Sequence, residues 1–248
     1  MISIVICSIT PAKFEAVRRN LSSLLADEPH EFIGIHDARS IAEGYNRGIR
    51  QSRGERIILC HDDIEVLASD FRIKLEQRLN AFDLIGVAGS TRVKGPAWVL
   101  AGPPYIFGHV AHWLANERFY DVQVWGVPAR VIPGIRVLDG VLLAGHRKVF
   151  ESIPFDDQTF QGFHLYDLDF TLRASLAGFK LAVCNDLMLI HNSTGNWDQR
   201  WAEDGQRFVA KHQACFDPGA ALPWAAMRIR VPTREKLPAV LTSAYWKD

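Results

Sequence analysis

The chain has 248 residues, 48% apolar and 23% charged, with 28 basic side chains balancing 28 acidic ones. Zero formal charge excludes an electrostatic footprint for nucleic acid and a polybasic surface for anionic lipid. The length fits one large α/β domain or two small ones.

The apolar run Ile2 to Cys7 has no basic stretch before it and is too short for a signal sequence or a membrane span. No later run reaches spanning length, so the expected location is the cytoplasm. Cys7, Cys60, Cys184 and Cys215 form no CxxC pair, and the first three lie in apolar runs. Buried, reduced thiols are expected.

Residues 2–7, ISIVIC, read as a strand covered on both faces. Thr10-Pro11 then opens a helix with a capping hydroxyl and a first-turn proline, carried on by Phe14, Val17, Leu21 and Leu24. Residues 31–37 form a second strand ending at Asp37. Ser40 to Glu43 reads as a capping box for a helix that Gly54 closes. IILC, 57–60, is a third strand and runs into His61-Asp62-Asp63. Phe71, Leu75, Leu79 and Phe82 mark another helix, and LIGVAG, 84–89, a fourth strand. Alternating strands and helices predict a parallel sheet with right-handed crossovers. Ligands in such sheets bind beyond the carboxyl ends of the strands. Asp37 and the His61-Asp62-Asp63 trio fall at such ends.

Residues 91–136 hold Trp98, Trp113, Trp125 and several prolines without a sustained period. They read as an irregular excursion, most of whose large aromatics are expected to pack into the core. Order returns at 137–145, VLDGVLLAG. There Asp139-Gly140 precedes a strand, the glycine serving either a close backbone approach or a bend. A loop spans 155–164. Residues 165–178 are helical, with Leu165, Leu168, Leu172 and Leu176 on one face and Gly178 at the end. Two strand-like runs follow, the second ending at His191, then a helix over about 197–216. Residues 217–248 read as a surface tail. The expected organisation is one domain over 1–216, made of a first half (1–90), the excursion (91–136) and a second half (137–216).

The turn after the first strand, CSITPAK, lacks the glycines of a dinucleotide fold. There is no P-loop and no GxSxG elbow. Phosphate must then be held another way, and one or two carboxylates with a divalent cation is the usual alternative. Asp62 and Asp63 suit it, but two adjacent carboxylates also suit a solvated turn. His191 ends a strand as they do. Asp37 is either part of the same cleft or an ordinary turn residue beside Ser40. Asp167 and Asp169 are two apart on a helix, so only one can face a cleft. Asp169 stands four before Arg173 and can pair with it. Asp167 is the better cleft candidate, against the plain reading of a first-turn aspartate that favours the helix dipole.

Taken in order, Asp37, the GYNRGI helix, HDD, DGVLLA, YDLDFTLRASLAGF and IHNSTGNW resemble a glycosyltransferase of family 2 with the GT-A fold. The nearer resemblance is to the branch related to a streptomycin-biosynthesis protein, over about residues 1–210. The resemblance implies an α/β GT-A fold with a mostly parallel central sheet flanked by helices. It implies transfer of a sugar from a UDP-, GDP- or TDP-linked donor to an acceptor hydroxyl, with inversion. By the same resemblance Asp37 contacts base or ribose, and Asp62 holds ribose or metal. Asp63 and His191 ligate Mn²⁺ or Mg²⁺, and Asp167 is the base, which makes 1–90 the nucleotide-binding half and 137–216 the acceptor and metal half of one catalytic domain. Beside these, Asp139-Gly140 stands at the cleft, where the glycine either lets backbone approach the donor sugar or only shapes a bend. The chain departs from the pattern in three places. Tyr166-Asp167 stands where Glu-Asp is common, the usual Pro-x-Tyr/Phe-Asn after the first strand is missing, and QxxRW is absent.

Two other functions remain. A nucleotidyltransferase of related fold would need a glycine-rich, basic loop after the first strand, which CSITPAK does not provide. A non-catalytic nucleotide- or sugar-binding module would keep the fold without turnover.

Overall fold

The structure, a computed structural model, describes residues 1–127, 129–193, 195 and 197–243. The first third alternates as expected: β1 (Ile2–Cys7), α1 (Pro11–Leu25), β2 (His30–Ile35), α2 (Ile41–Gln51) and β3 (Arg56–Cys60). A short β4 (Ile64–Val66) follows His61-Asp62-Asp63, then α3 (Phe71–Ala81), β5 (Leu84–Gly86) and β6 (Ala88–Ser90). Next come β7 (Ile106–Leu114), β8 (Phe119–Trp125), β9 (Val131–Ile135), β10 (Val137–Leu138), β11 (Leu142–His146) and α4 (Arg147–Ser152). The chain continues with α5 (Tyr166–Leu176), β12 (Leu181–Cys184), β13 (Leu189–His191), α6 (Gln199–His212), β14 (Met227–Val231) and α7 (Leu237–Ser243).

The main sheet runs β2-β1-β3-β11-β5-β12-β9. It is mixed. β1 is parallel to β2 and β3, and β5 to β12, while β11 runs antiparallel between β3 and β5. Successive β1 residues feed opposite faces: Ile2, Ile4 and Ile6 join one core cluster and Val5 the other. Ile58 and Cys60 of β3 divide from Ile57 and Leu59 in the same way. Burial on both faces is why these strands read as unbroken apolar runs.

The expected fourth strand divides at Val87, with β5 in the main sheet and β6 in a second sheet ordered β10-β6-β7-β13-β4. The reading of 91–136 as irregular is corrected here. β7 and β8 form an antiparallel hairpin from Gly108↔Trp125 to Leu114↔Phe119. Its sequence hid it because β7 buries His109 and His112 among apolar neighbours, so polar and apolar residues do not alternate. The surface-tail reading of 217–248 is corrected as well. β14 pairs with β8, and Leu237 and Leu241 of α7 are buried in the larger core cluster.

The caps differ in detail. Thr10 makes no side-chain cap to α1, whereas Ser40 Oγ accepts from Glu43 N at 3.1 Å as expected. The Glu43 carboxylate turns to Arg39 N, so the reciprocal half of the capping box is shifted by one residue.

Candidate functional site

The site begins at the carboxyl end of β3. The chain leaves the main sheet there, turns through His61, Asp62 and Asp63, and enters the second sheet as β4. β4 pairs antiparallel with β13, which puts Ile64 opposite His191. Asn192 N and Nδ2 donate to the Asp63 carbonyl at 2.9 and 3.0 Å and close the turn. A strand pairing thus joins two segments about 130 residues apart.

His61 Nδ1 lies 3.2 Å from His191 Nε2, and Asp63 Oδ1 lies 3.3 Å from the same nitrogen. Ser193 Oγ is 3.1 Å from it. One imidazole nitrogen therefore faces a second imidazole, a carboxylate and a hydroxyl, and a single proton cannot serve all three. A shared cation can. Ligand atoms of His61, Asp63 and His191 all lie within 4.8 Å of one another. Two imidazoles and a carboxylate fit a first-row divalent ion such as Mn²⁺ better than Mg²⁺, which prefers oxygen ligands.

Burial alone would raise the Asp63 carboxyl. The hydrogen bond and charge of His191, with the charge of His61, outweigh it and hold Asp63 well below the usual carboxylate range. Burial and the neighbouring His191 both lower His61 and favour its neutral, ligand-competent form. Outer contacts orient the set. Tyr166 Oη meets His61 Nε2 at 3.0 Å, and His112 Nδ1 meets the carbonyls of His191 and Ser193 at 3.1 and 2.9 Å.

Tyr166 opens α5 and Asp167 follows it. Leu165 turns the chain into this helix with a left-handed φ of 59°. Gly140 N donates to Asp167 Oδ2 at 2.7 Å. A Cβ on Gly140 would stand 2.4 Å from Tyr166 Oη and 2.8 Å from Asp167 Cβ, so only glycine permits this approach. Asp139 accepts from Trp98 Nε1 at 2.9 Å and from Val141 N at 3.0 Å. Burial, then the Asp139 charge, push the Asp167 carboxyl up to about 7. That is the range a general base needs near neutral pH.

Two cavities meet at this centre. One, of about 310 Å³, is lined by Ser8, Ala38, Tyr45, Asp62 and Asp63 among others. The other, of about 280 Å³, includes Asp139, Asp167, His191 and a group of tryptophans. His61 and Phe163 belong to both walls.

Asp63 and His191 therefore meet, and Asp167 and Asp139 share a cavity with His191, with Gly140 bonded to Asp167. Asp62 stands aside from the imidazoles. It faces the first cavity and accepts from Ser8 Oγ at 2.7 Å. Asp37 lines neither cavity. Its side chain is 78% exposed and pairs with Arg47 at 2.7 Å, as an ordinary turn residue would. Asp169 is fully buried on the other side of α5 and binds Arg173, Lys211 and His212. Sequence reasoning assigned no role to His61 or Tyr166. His61 was adjacent to the two aspartates, and Tyr166 was noted only as a departure. No local pattern singles out Ser8, His112 or Ser193.

A family model described as "Glycosyltransferase like family" matches residues 3–212. No curated protein sequence matches. Among solved structures, the mannosyltransferase PcManGT from Pyrobaculum calidifontis, in complex with GDP-Man and Mn²⁺, superposes with a TM-score of 0.54 at 12% identity. The match covers 90% of this chain and 66% of that one, so the chain spans just under two thirds of that protein's length. This likeness shows a GT-A-type fold. A197 from STIV aligns at 13% identity over 79% of this chain and 96% of its own, with a TM-score of 0.42.

Proposed function

The chain belongs to the glycosyltransferase-like family, and from that premise we propose that it moves a sugar from a nucleoside-diphosphate donor to an acceptor hydroxyl, with inversion and with a divalent cation. The observation that carries this reading is the convergence of His61, Asp63 and His191 beside a cavity holding Asp167.

In this reading the nucleotide occupies the first cavity, with Ser8 and Asp62 on its polar side. Asp62 accepts from the ribose hydroxyls. Asp37 reaches the base or ribose by leaving Arg47. A Mn²⁺ or Mg²⁺ ion on His61, Asp63 and His191 would neutralise charge on the departing diphosphate. Asp139 and the backbone at Gly140 border the donor sugar.

Asp167 takes the proton of the acceptor hydroxyl. The acceptor oxygen bonds to the anomeric carbon, and the bond to the diphosphate oxygen breaks with its electron pair. Attack opposite the leaving group inverts that carbon. Positioning both substrates lowers the entropic part of the barrier. The GDP-mannose and Mn²⁺ bound by the mannosyltransferase neighbour make GDP-linked donors the first to test. Free thiols at all four cysteines suit the reducing cytoplasm as the place of action.

The test is thermal stabilisation by GDP, UDP, CDP and TDP, each with Mn²⁺, followed by transfer assays with the matching sugars. One nucleotide is expected to raise the melting temperature with Mn²⁺ present, and Asp63→Ala to abolish the shift. A shift unchanged in Asp63→Ala overturns the cation assignment. Pyrophosphate release from a sugar phosphate and a nucleoside triphosphate would replace transfer with nucleotidyl chemistry.

A further inference from the structure

The second cavity has an unusual wall. Five indoles line it: Trp98, Trp125, Trp197, Trp201 and Trp224. They come from distant stretches of chain. Trp98 and Trp125 meet edge to face with centroids 5.1 Å apart, deep in the cavity. Trp197 and Trp201, beside and within α6, have centroids 4.5 Å apart.

Trp224 arrives from the C-terminal segment, which is fastened across this side of the molecule. Asp217 N donates to Val93 O at 2.8 Å, Arg136 pairs with Asp217 at 2.8 Å, and Leu222 N donates to Leu100 O at 3.0 Å. Trp197 and Trp224 remain 56% and 48% exposed. Large apolar faces left open at a cavity mouth are costly unless something covers them in use.

We infer that this cavity takes the acceptor as a neutral saccharide, one pyranose ring lying against Trp197 and Trp224 while its neighbour presents a hydroxyl to Asp167. The inference rests on reading the site as a glycosyl-transfer centre. A pyranose has an apolar C–H face and a rim of hydroxyls. The indoles cover the face. Gln123, His164 and Asp139 on the same wall are partners for the rim. The Trp125 Nε1–H is buried and finds no acceptor among the described residues.

Charge decides against an anionic acceptor. Among the described residues no Lys or Arg lines the cavity, whereas Asp139 and Asp167 both do. A phosphate would sit beside two carboxylates with no cationic side chain to pair with it. An aliphatic chain would make no use of the polar groups that Gln123, His164 and Asp139 bring to this wall.

The experiment measures intrinsic tryptophan fluorescence and saturation-transfer NMR on the full chain with GDP and Mn²⁺. The probes are maltose, cellobiose, mannobiose and their methyl glycosides, with farnesyl phosphate as the anionic lipid probe. At least one saccharide is expected to quench fluorescence saturably. Trp197→Ala and Trp224→Ala are each expected to weaken it roughly tenfold, with Phe at either position restoring part of the affinity. Both side chains stand half exposed, so the melting temperature and the nucleotide-dependent shift should stay unchanged. The inference is overturned if no saccharide binds saturably, if farnesyl phosphate binds instead, or if both variants leave saccharide binding intact. Saccharide binding without any nucleotide shift would overturn the donor assignment and leave this one standing.

Discussion

Asp167 holds two properties in tension. As the proposed base it must be ionised to take a proton, yet burial and Asp139 push it up to about 7. Below that pH the carboxyl is protonated and idle, so kcat/KM is expected to rise with pH through an inflection near 7. Asp139→Asn removes the repelling charge and should move the inflection to lower pH. The inflection belongs to the interacting pair, so a pH–rate profile on both proteins is the fitting measurement. Asp167→Asn should keep the nucleotide-dependent melting shift and lose on the order of 10²–10⁴-fold in transfer rate. Gly140→Ala tests the close approach to Tyr166. With 2.4 Å to the phenol oxygen, it should cost about 1–3 kcal/mol in denaturant unfolding. These residues also mark how far local sequence could be read. The carboxylate two positions from Asp169 was legible as the one facing the cleft, because helix geometry allows only one to do so. His61 was not legible as a candidate ligand, because its partner His191 is brought near only by tertiary pairing.

At the scale of elements, the parallel run β2-β1-β3 was legible because its strands are apolar, short and separated by amphipathic helices. The β7–β8 hairpin was not. Its turn, 115–118, has no glycine, and Arg118 supplies the positive φ instead. α5 and α6 are held together by Asp169, fully buried with Arg173, Lys211 and His212 around it. Burial alone would raise this carboxyl. The hydrogen bond from His212 and the charge of Arg173 outweigh it and keep the group below its ordinary value. A depressed folded-state value means the contribution is complete above the unfolded carboxylate range and fades as acid protonates the group. Stability should therefore fall as pH drops below about 4. Asp169→Asn should cost roughly 2–4 kcal/mol at neutral pH and flatten that acid limb in urea titrations.

Across the whole molecule, the C-terminal stretch is structural as well as part of a cavity wall. β14 covers one edge of β8, and Leu237 and Leu241 insert into the larger core cluster. Deleting 217–248 should lower the melting temperature and promote association through the bared β8 edge, measurable by calorimetry and light scattering. The sequence had read this stretch as a tail because prolines and alanines outnumber its few buried anchors. Among the described residues no helix is long and apolar enough to cross a membrane.

His61 and Phe163 form the only residues common to the two cavity walls, among those described. A ligand that fixes the His61 ring from one side therefore also sets the shape of the other side. Under the proposed function, nucleotide in one chamber should strengthen saccharide binding in the other, and saccharide should strengthen nucleotide binding by the same factor, since the free energy linking them is equal in both directions. Titrating each ligand with and without the other measures that factor.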